Sequence, residues 1–259
     1  MKAGVLRVEA DEGILRLWLN RPEKRNALNA ALVEALAGAL RDAESRSDIR
    51  VILLQGEGPD FCAGADLADL ERITGMGAEA SLADAQRLGS LLLQMRRHPR
   101  PIVAAVQGRA LAGGCGLATA CDLILASEEA EFGYPEVRLG FVPAMVMAIL
   151  REKLTEGRAF ELVTLGSPIP AAEALRIGLV NRVFPFDGFG QEVDALVGEL
   201  AKRPPEAITL TKSLLYELAD LTIEDGIQRG AEVNVEARMS EACRAGVRRF
   251  LSRNRTPSS

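Results

Sequence analysis

Short apolar runs alternate with helical segments through most of the chain, and this alternation limits the possible folds more than any other feature. Residues 48–55, 101–107 and 122–127 are apolar runs of strand length bounded by glycine, proline or polar residues. Residues 27–46 repeat leucine at helical spacing, and residues 81–97 also favour a helix that ends at a proline-rich stretch. Strands that alternate with helices predict an α/β layer structure.

The two ends of the chain depart from a simple strand–helix repeat. Residues 5–10 and 14–19 predict two consecutive strands, whereas no strand signal is found from residue 192 onward. We therefore place a boundary near residue 195, between an α/β core of residues 1–195 and a helical region of residues 196–259. Helices that cannot bury their own leucines often pack on a neighbouring subunit. The helices of this region are predicted at 195–203, 205–218, 223–238 and 241–251.

The charge balance argues against a nucleic-acid-binding protein. The 259 residues carry a net charge of −5, whereas phosphate binding needs a basic excess. One local exception is a group of arginines near the C-terminus, which is interpreted either as a solvated helix face or as a phosphate contact. Its members are Arg244, Arg248, Arg249, Arg253 and Arg255.

Cysteine usage and hydropathy favour a cytoplasmic protein. The four cysteines are scattered without metal-ligand spacing, as expected of reduced thiols packed in a cytosolic protein. The first residues contain no apolar stretch of signal-peptide length. The most apolar segment, residues 141–150, is interrupted by Pro143 and is far shorter than a bilayer span.

Several common catalytic motifs are missing. The segment 108–114 has Gly114 where a phosphate-binding loop needs lysine, and Thr119 takes the place of the third glycine of a dinucleotide fingerprint. There is no G-x-S-x-G sequence, and the single histidine, His98, precedes Pro99 and is predicted to lie on the surface. We therefore expect no metal, no bound cofactor and no serine–histidine relay.

Two glycine-containing turns from strand to helix remain as candidates for a site. They are FCAGADL at residues 61–67 and ALAGGCG at residues 110–116. Glycine allows close approach of the backbone to a ligand, and a free N–H at a helix start favours negative charge. Two such groups that converge would form an oxyanion hole. Taken singly, each turn is an ordinary turn.

Taken together with three further motifs, the turns resemble the crotonase superfamily, the enoyl-CoA hydratase/isomerase family, over nearly the whole chain. The other motifs are LNRPEKRNAL at residues 19–28, FGYPEVRLG at residues 132–140 and AEALRIGLVN at residues 172–181. The second turn also extends into a longer match over residues 108–122. The resemblance implies a crotonase-like spiral of repeated ββα units with a C-terminal helical region that forms homotrimers, often paired into homohexamers. It also implies an acyl-CoA thioester as substrate.

The resemblance assigns roles to particular residues. The backbone N–H groups of Ala65 and Gly113 would hold the thioester oxygen, and Glu136 would act as general acid/base. The residues that would line the adenine and phosphate end of coenzyme A are Lys24, Arg25, Ala27, Ala63, Asp66 and Leu67, with Phe250 and Arg253 reaching the coenzyme A of an adjacent subunit.

One departure from the family pattern leaves the reaction open between hydration and Δ3,Δ2-isomerisation. Family hydratases carry an acid at the position that Gly116 fills here. Hydration normally uses two carboxylates, whereas moving a double bond needs only one proton carrier. Acids that would replace the missing one are Asp69, Glu71 and Glu128.

Two further alternatives stay open. One is another reaction of the fold, thioester hydrolysis or decarboxylation, in which Tyr134 would take part. The other is a non-catalytic member that binds acyl-CoA, or RNA, which the acidic balance disfavours. Residues 74–85 and 142–150 are expected to wall an apolar acyl pocket.

Overall fold

The computed structural model describes residues 4–253, and the side chains of Leu67, Ile73, Thr74 and Arg253 fall outside that description. Nine strands form two sheets in this part of the chain. They are β1 (Leu6–Asp11), β2 (Ile14–Leu19), β3 (Val51–Gly56), β4 (Ile102–Val106), β5 (Arg109–Leu111), β6 (Leu123–Ser127), β7 (Glu131–Gly133), β8 (Ile169–Pro170) and β9 (Arg182–Phe184).

The larger sheet has six strands in the order β1-β2-β3-β4-β6-β9. Strand β1 is antiparallel to β2, as expected of a hairpin, and every later neighbour is parallel. The register pairs Leu15 with Ile52 and Leu54 with Ala104. Parallel strands are buried on both faces, which explains why β3 and β4 are continuous apolar runs rather than alternating ones.

The smaller sheet has the order β5-β7-β8, with β5 parallel to β7 and β7 antiparallel to β8. The chain passes directly from β4 to β5 and again from β6 to β7, so successive strands are placed in the two sheets alternately. This arrangement, with helices between the strand pairs, confirms the predicted α/β crotonase-like spiral with helices toward the C-terminus.

Eleven α-helices accompany the strands among the described residues. They are α1 (Ala30–Glu44), α2 (Leu67–Thr74), α3 (Ala78–Arg97), α4 (Gly113–Ala120), α5 (Ala144–Lys153), α6 (Glu156–Leu165), α7 (Ala171–Arg176), α8 (Phe189–Ala201), α9 (Pro205–Glu217), α10 (Ile223–Met239) and α11 (Glu241–Arg253). One-turn 3-10 helices lie at Pro22–Lys24, Pro135–Leu139 and Leu218–Asp220.

Helix α1 begins at Ala30, three residues later than the predicted start at 27. The side chain of Asn29 caps the helix by accepting a hydrogen bond from the Leu32 N–H. The residue before the cap is held elsewhere, because the Leu28 N–H donates to the Gly64 carbonyl at 2.7 Å. The leucine spacing alone would start the helix at residue 27, but the hydrogen bond from Leu28 to Gly64 holds this residue outside the helix.

Two apolar layers cover the faces of the large sheet. On one face, Leu36 of α1 and Leu91 of α3 pack with Ile52 and Leu54 of β3. On the other face, a smaller cluster joins the sheet to α8; its members are Ile14, Val51, Leu53, Val103, Ala105, Leu125, Phe189, Val193 and Val197. The alternation of side chains along β3 explains how one strand supplies both layers.

The prediction that His98 lies on the surface was wrong. Its side chain is buried, its Nδ1 accepts from the Arg100 N–H at 3.0 Å, and its Nε2 lies 3.2 Å from the Leu40 carbonyl. The imidazole thus ties the turn after α3 to α1. Charged residues and prolines around position 98 suggested exposure, but the ring itself satisfies backbone groups that would otherwise be buried without partners.

The chain divides into two compact units, the first ending at Ala201 and the second beginning at Lys202. The expected boundary at 195 falls inside α8, whose Val193 and Val197 belong to the outer apolar cluster of the first unit. The second unit consists of α9, α10, α11 and a 3-10 turn, and no strand follows β9 within residues 4–253. No helix in the described chain combines the length and apolar content needed to cross a bilayer.

Replacing Gly114 by alanine tests the close packing that positions the turns. An added Cβ would lie 2.3 Å from the Cys62 carbonyl oxygen, which is backbone and cannot yield without a shift of the turn. We expect Gly114→Ala to lower the free energy of unfolding by about 1–3 kcal/mol in urea titrations. The matched control is Gly198→Ala in α8, where nothing lies within 4 Å of the added Cβ. The free energy of unfolding of that variant should rise by about 0.5–1 kcal/mol. An equal change in the free energy of unfolding at both positions would contradict the packing described.

Candidate active site

The first glycine turn follows β3 and lies directly against the second. Gly64 has φ +103°, a value that few residues other than glycine adopt. A Cβ on Gly64 would lie 2.9 Å from the Ala112 Cβ and 3.0 Å from the Leu111 carbonyl oxygen. Glycine is therefore required here by both the backbone conformation and the contact between the turns.

The second turn links β5 to α4. Ala112 lies just before the helix with φ +49° and ψ −126°, an unusual conformation for a residue with a Cβ. Its N–H donates to the Gly133 carbonyl at 2.8 Å, which anchors the turn to β7. Helix α4 starts at Gly113, because tertiary hydrogen bonds compensate for the low helix propensity of its glycines.

Backbone pairing joins the two turns. Cys62 donates its N–H to the Arg109 carbonyl at 2.9 Å, and its own carbonyl accepts from the Leu111 N–H at 3.0 Å. A third segment joins them, because Leu28 forms a parallel bridge with Ala65. The sequence motifs at residues 19–28, 61–67 and 110–116 are thus brought together in space.

The two expected oxyanion donors are unengaged in this arrangement. The Leu28–Ala65 bridge uses the Gly64 carbonyl and the Asp66 N–H, and the Ala65 N–H takes no part in it. Within residues 4–253 neither the Ala65 N–H nor the Gly113 N–H has a hydrogen-bond acceptor. Gly113 is the first residue of α4, where a helix leaves its N–H groups unpaired and favours negative charge.

Glu136 lies on the one-turn helix that follows β7. Its Oε2 atom is buried and has no hydrogen-bond partner within the described part of the chain. Burial raises the pKa of the Glu136 carboxyl above its ordinary value, because desolvation disfavours the charged form, and a backbone hydrogen bond opposes this only in part. A half-buried carboxyl with one unpaired oxygen and a raised pKa is suited to accept and return a proton.

Gly116, the position at which the family resemblance leads us to expect a first acid, is buried on α4. A Cβ at this position would lie 3.6 Å from both Cβ and Cγ2 of Val146 on α5. The side chain nearest to this position is therefore apolar.

Leucine and methionine side chains also lie beside the turns. A Cβ on Gly113 would lie 3.1 Å from Leu28 Cδ1 and 4.0 Å from Leu88 Cδ2, and Met145 lies against Gly89. The expected wall at 142–150 thus includes residues next to α3 and α4. From the sequence, Leu28 was noted only as part of the motif at residues 19–28 and of a helical spacing. Leu88 was not singled out, although it continues the helical spacing of Leu91 on α3.

Among the residues expected at the coenzyme A end, Arg25 and Ala63 lie together, since the Ala63 N–H donates to the Arg25 carbonyl at 2.9 Å. Lys24 and Arg25 are exposed on the loop after β2, and Arg25 has φ +50°. Ala27 is buried, and its carbonyl accepts a hydrogen bond from the Arg21 guanidinium.

Asp66 has a structural role that sequence reasoning missed. Its carboxylate forms a buried ion pair with Arg21 at 2.6 Å and caps α2 by accepting from the Ala68 N–H at 3.1 Å. The Arg21 guanidinium lowers the pKa of the Asp66 carboxyl below its ordinary value. The Arg21 guanidinium thus balances the charge of the Asp66 carboxylate. Leu67 begins α2, and its side chain lies outside the described residues.

The last two expected coenzyme A contacts lie on α11 in the second unit. Phe250 is exposed, with 66% of its surface accessible. Arg253 is the last residue of the helix, and its side chain lies outside the description. In the same arginine group, Arg248 forms a surface ion pair with Glu241 at 2.6 Å, which fits a solvated helix face for this member.

Comparison with known proteins identifies the family of the chain. A family profile described as enoyl-CoA hydratase/isomerase matches residues 9–257. A Thermus thermophilus protein provisionally named enoyl-CoA hydratase is 41% identical over 247 residues, covering 95% of this chain and 98% of its own. The 2,3-dehydroadipyl-CoA hydratase of Escherichia coli is 32% identical over 252 residues, covering 96% of each chain.

Solved structures show the same fold. The enoyl-CoA hydratase of Mycobacterium smegmatis superposes with a TM-score of 0.93 at 29% identity, with 97% of both chains covered. The human enoyl-CoA hydratase domain-containing protein 3 superposes with a TM-score of 0.91 at 27% identity, covering 98% of this chain and 100% of that one. The chain therefore belongs to the enoyl-CoA hydratase/isomerase family, within the crotonase superfamily.

Proposed function

We propose that this protein moves a proton along an enoyl-CoA thioester, with Glu136 as the single acid/base and the N–H groups of Ala65 and Gly113 as the oxyanion hole. The observation that carries the proposal is the Glu136 carboxyl, whose Oε2 is buried without a partner in the described chain and whose pKa is raised by burial. A carboxyl held in this way can exchange a proton with carbon next to a polarised thioester.

The proposed reaction is a shift of a double bond from position 3 to position 2. Glu136 removes a proton from the α-carbon, and the electron pair passes into the thioester as an enolate. The two backbone N–H groups stabilise the enolate oxygen. The same carboxyl then returns the proton to the γ-carbon, so that no other reactant is consumed. An oxyanion donor of this kind typically contributes about 2.7–4 kcal/mol to the transition state.

Gly116 favours isomerisation over hydration. Adding water across the double bond uses a second carboxylate to orient the water, and Val146 lies where a side chain at position 116 would extend. Of the substitutes suggested by the sequence, Asp69 lies 3.5 Å from Arg72. Glu128 accepts from the Phe186 N–H at 3.0 Å. Both carboxylates are thus engaged elsewhere.

Hydration is the second candidate, and the names of relatives favour it. The proteins from Thermus thermophilus and Escherichia coli are both named as hydratases. Thioester hydrolysis or decarboxylation through Tyr134 gains no support, because this side chain is fully buried and its hydroxyl is bonded to Thr119. A non-catalytic acyl-CoA-binding protein is the outcome if no thioester is turned over.

The remaining assignments extend the same proposal. We infer that the loop containing Lys24, Arg25 and Ala63 binds the nucleotide end of coenzyme A, as in the family pattern. A homotrimer or homohexamer is supported by apolar residues exposed on the second unit. They include Leu215, Ile223, Ile227, Val235, Met239, Val247 and Phe250. A cytoplasmic location stays a prediction.

Side-by-side assays of 3-hexenoyl-CoA and crotonyl-CoA test the reaction. We expect 3-hexenoyl-CoA to be converted to 2-hexenoyl-CoA with a kcat/KM at least about tenfold above that for hydration of crotonyl-CoA. Product analysis by mass spectrometry separates the two, because hydration adds the mass of water and isomerisation adds nothing. Faster hydration than isomerisation would overturn the single-carboxylate assignment, and release of free coenzyme A would identify a hydrolase.

The variant Glu136→Gln tests the proton carrier. Exchange of the α-proton of a saturated acyl-CoA with heavy water, followed by NMR, should slow by about 100- to 10,000-fold, the usual contribution of an acid/base group. The control is Glu131→Gln, which removes an exposed carboxylate from β7 five residues away. Exchange that persists in Glu136→Gln, or that falls equally in both variants, would exclude Glu136 from this role.

A further inference from the structure

Three polar side chains form a fully buried cluster next to the proposed site. Tyr134, Thr119 and Cys115 are each 0% exposed. The Tyr134 hydroxyl lies 2.7 Å from Thr119 Oγ1, and the Cys115 thiol interacts with the same hydroxyl. The neighbours of the cluster along the chain, such as Phe132 and Leu117, are also fully buried. Burying a polar group in such surroundings costs free energy of folding unless the group forms a hydrogen bond.

The cluster connects the two elements that carry the proposed catalytic groups. Cys115 and Thr119 lie on α4, whose first residue is Gly113. Tyr134 immediately precedes the one-turn helix Pro135–Leu139, which carries Glu136. The Tyr134–Thr119 hydrogen bond therefore ties the segment bearing the carboxyl to the helix bearing one oxyanion donor.

None of the three side chains is placed to act on a substrate. All are excluded from solvent, and burial raises the pKa of the Cys115 thiol to about 12. The pKa of the Tyr134 phenol is likewise raised well above its ordinary value by burial. Both groups stay neutral at physiological pH. Any effect of these side chains on the reaction must therefore act through the positions of the two elements that they join.

The 3-10 helix carrying Glu136 is held by several contacts from outside it. Its Arg138 guanidinium donates to Ser167 Oγ at 2.8 Å, and its Val137 side chain lies against Gly166. The residue before it, Tyr134, makes no side-chain cap to the 3-10 helix. On the side of the second turn, the preceding strand β7 is joined by its parallel pairing with β5 and by the hydrogen bond from the Ala112 N–H to the Gly133 carbonyl. A short helix of this kind has weak internal hydrogen bonds, so its orientation depends on external contacts.

We propose that the Tyr134–Thr119 hydrogen bond is a positioning device that fixes Glu136 relative to the Gly113 N–H. This inference rests on the proposed function of Glu136. Tyr134 and Thr119 are positioning residues, not catalytic ones. A misplacement of about 1 Å at a reacting group can lower a rate by roughly 100-fold, so loss of this bond should be visible in turnover.

The test compares Tyr134→Phe and Thr119→Val with Thr119→Ser, which retains the hydroxyl. We expect the first two variants to lower kcat by about 10- to 100-fold while KM changes by less than about twofold. Thr119→Ser should retain turnover near that of the unmodified protein. The double variant should lose no more than the single ones, because removing both partners leaves neither hydroxyl unpaired. Each assay is run well below the melting temperature measured for that variant.

A second measurement reads the position of Glu136 without relying on turnover. Infrared titration, with Glu136→Gln as the reference, gives the pKa of this carboxyl directly. In Tyr134→Phe the pKa should move down toward the ordinary value as water reaches the loosened turn. The acid limb of kcat/KM, which requires the ionised carboxyl, should move to lower pH with it.

These measurements separate the positioning inference from the proposed function. An unmodified protein that turns over no thioester contradicts the function, and the infrared titration then still decides the positioning role. A Tyr134→Phe protein with a lower melting temperature but unchanged kcat and unchanged Glu136 pKa shows a merely structural hydrogen bond and overturns the inference. If Tyr134→Phe does not fold, the same measurements of kcat and of the Glu136 pKa are made on Thr119→Val.

Discussion

The structure of the site depends on the close approach of two backbone turns. Gly64 lies against Ala112, and Gly114 lies against the Cys62 carbonyl, at distances that leave no room for a Cβ. This contact places the chain after β3 beside the start of α4, so that N–H groups from two different elements remain unpaired in one region. A larger side chain at either glycine would separate the turns, and the site would be lost before any catalytic group was changed.

Around this contact the protein tolerates polar groups without partners. The N–H groups of Gly113 and Ala65 lack acceptors and the Oε2 atom of Glu136 lacks a donor, all within the described part of the chain. A buried group of this kind lowers the free energy of unfolding, whereas Arg21 is paired with Asp66 and Tyr134 is hydrogen-bonded to Thr119. The groups without partners are therefore the ones proposed to act on the substrate, and the paired side chains hold the elements that carry them.

The sequence predicted five of the six strands of the large sheet, all except β9, and the two turns, because apolar runs and glycines are local signals. It did not predict features that depend on distant partners. His98 is buried because it bonds to the Leu40 carbonyl, and Asp66 is held by Arg21 from 45 positions earlier in the chain. Helix α8 begins at Phe189 because its apolar face covers the sheet, which no local pattern specified.

The most direct test of the central claim is a crystal structure with a 3-ketoacyl-CoA, whose enolate resembles the proposed intermediate. We expect the thioester oxygen to lie about 2.7–3.1 Å from the backbone nitrogens of both Ala65 and Gly113. The Glu136 carboxyl should then lie in contact with the α-carbon. A thioester oxygen bound elsewhere, or a Glu136 side chain turned away from the α-carbon, would contradict the claim.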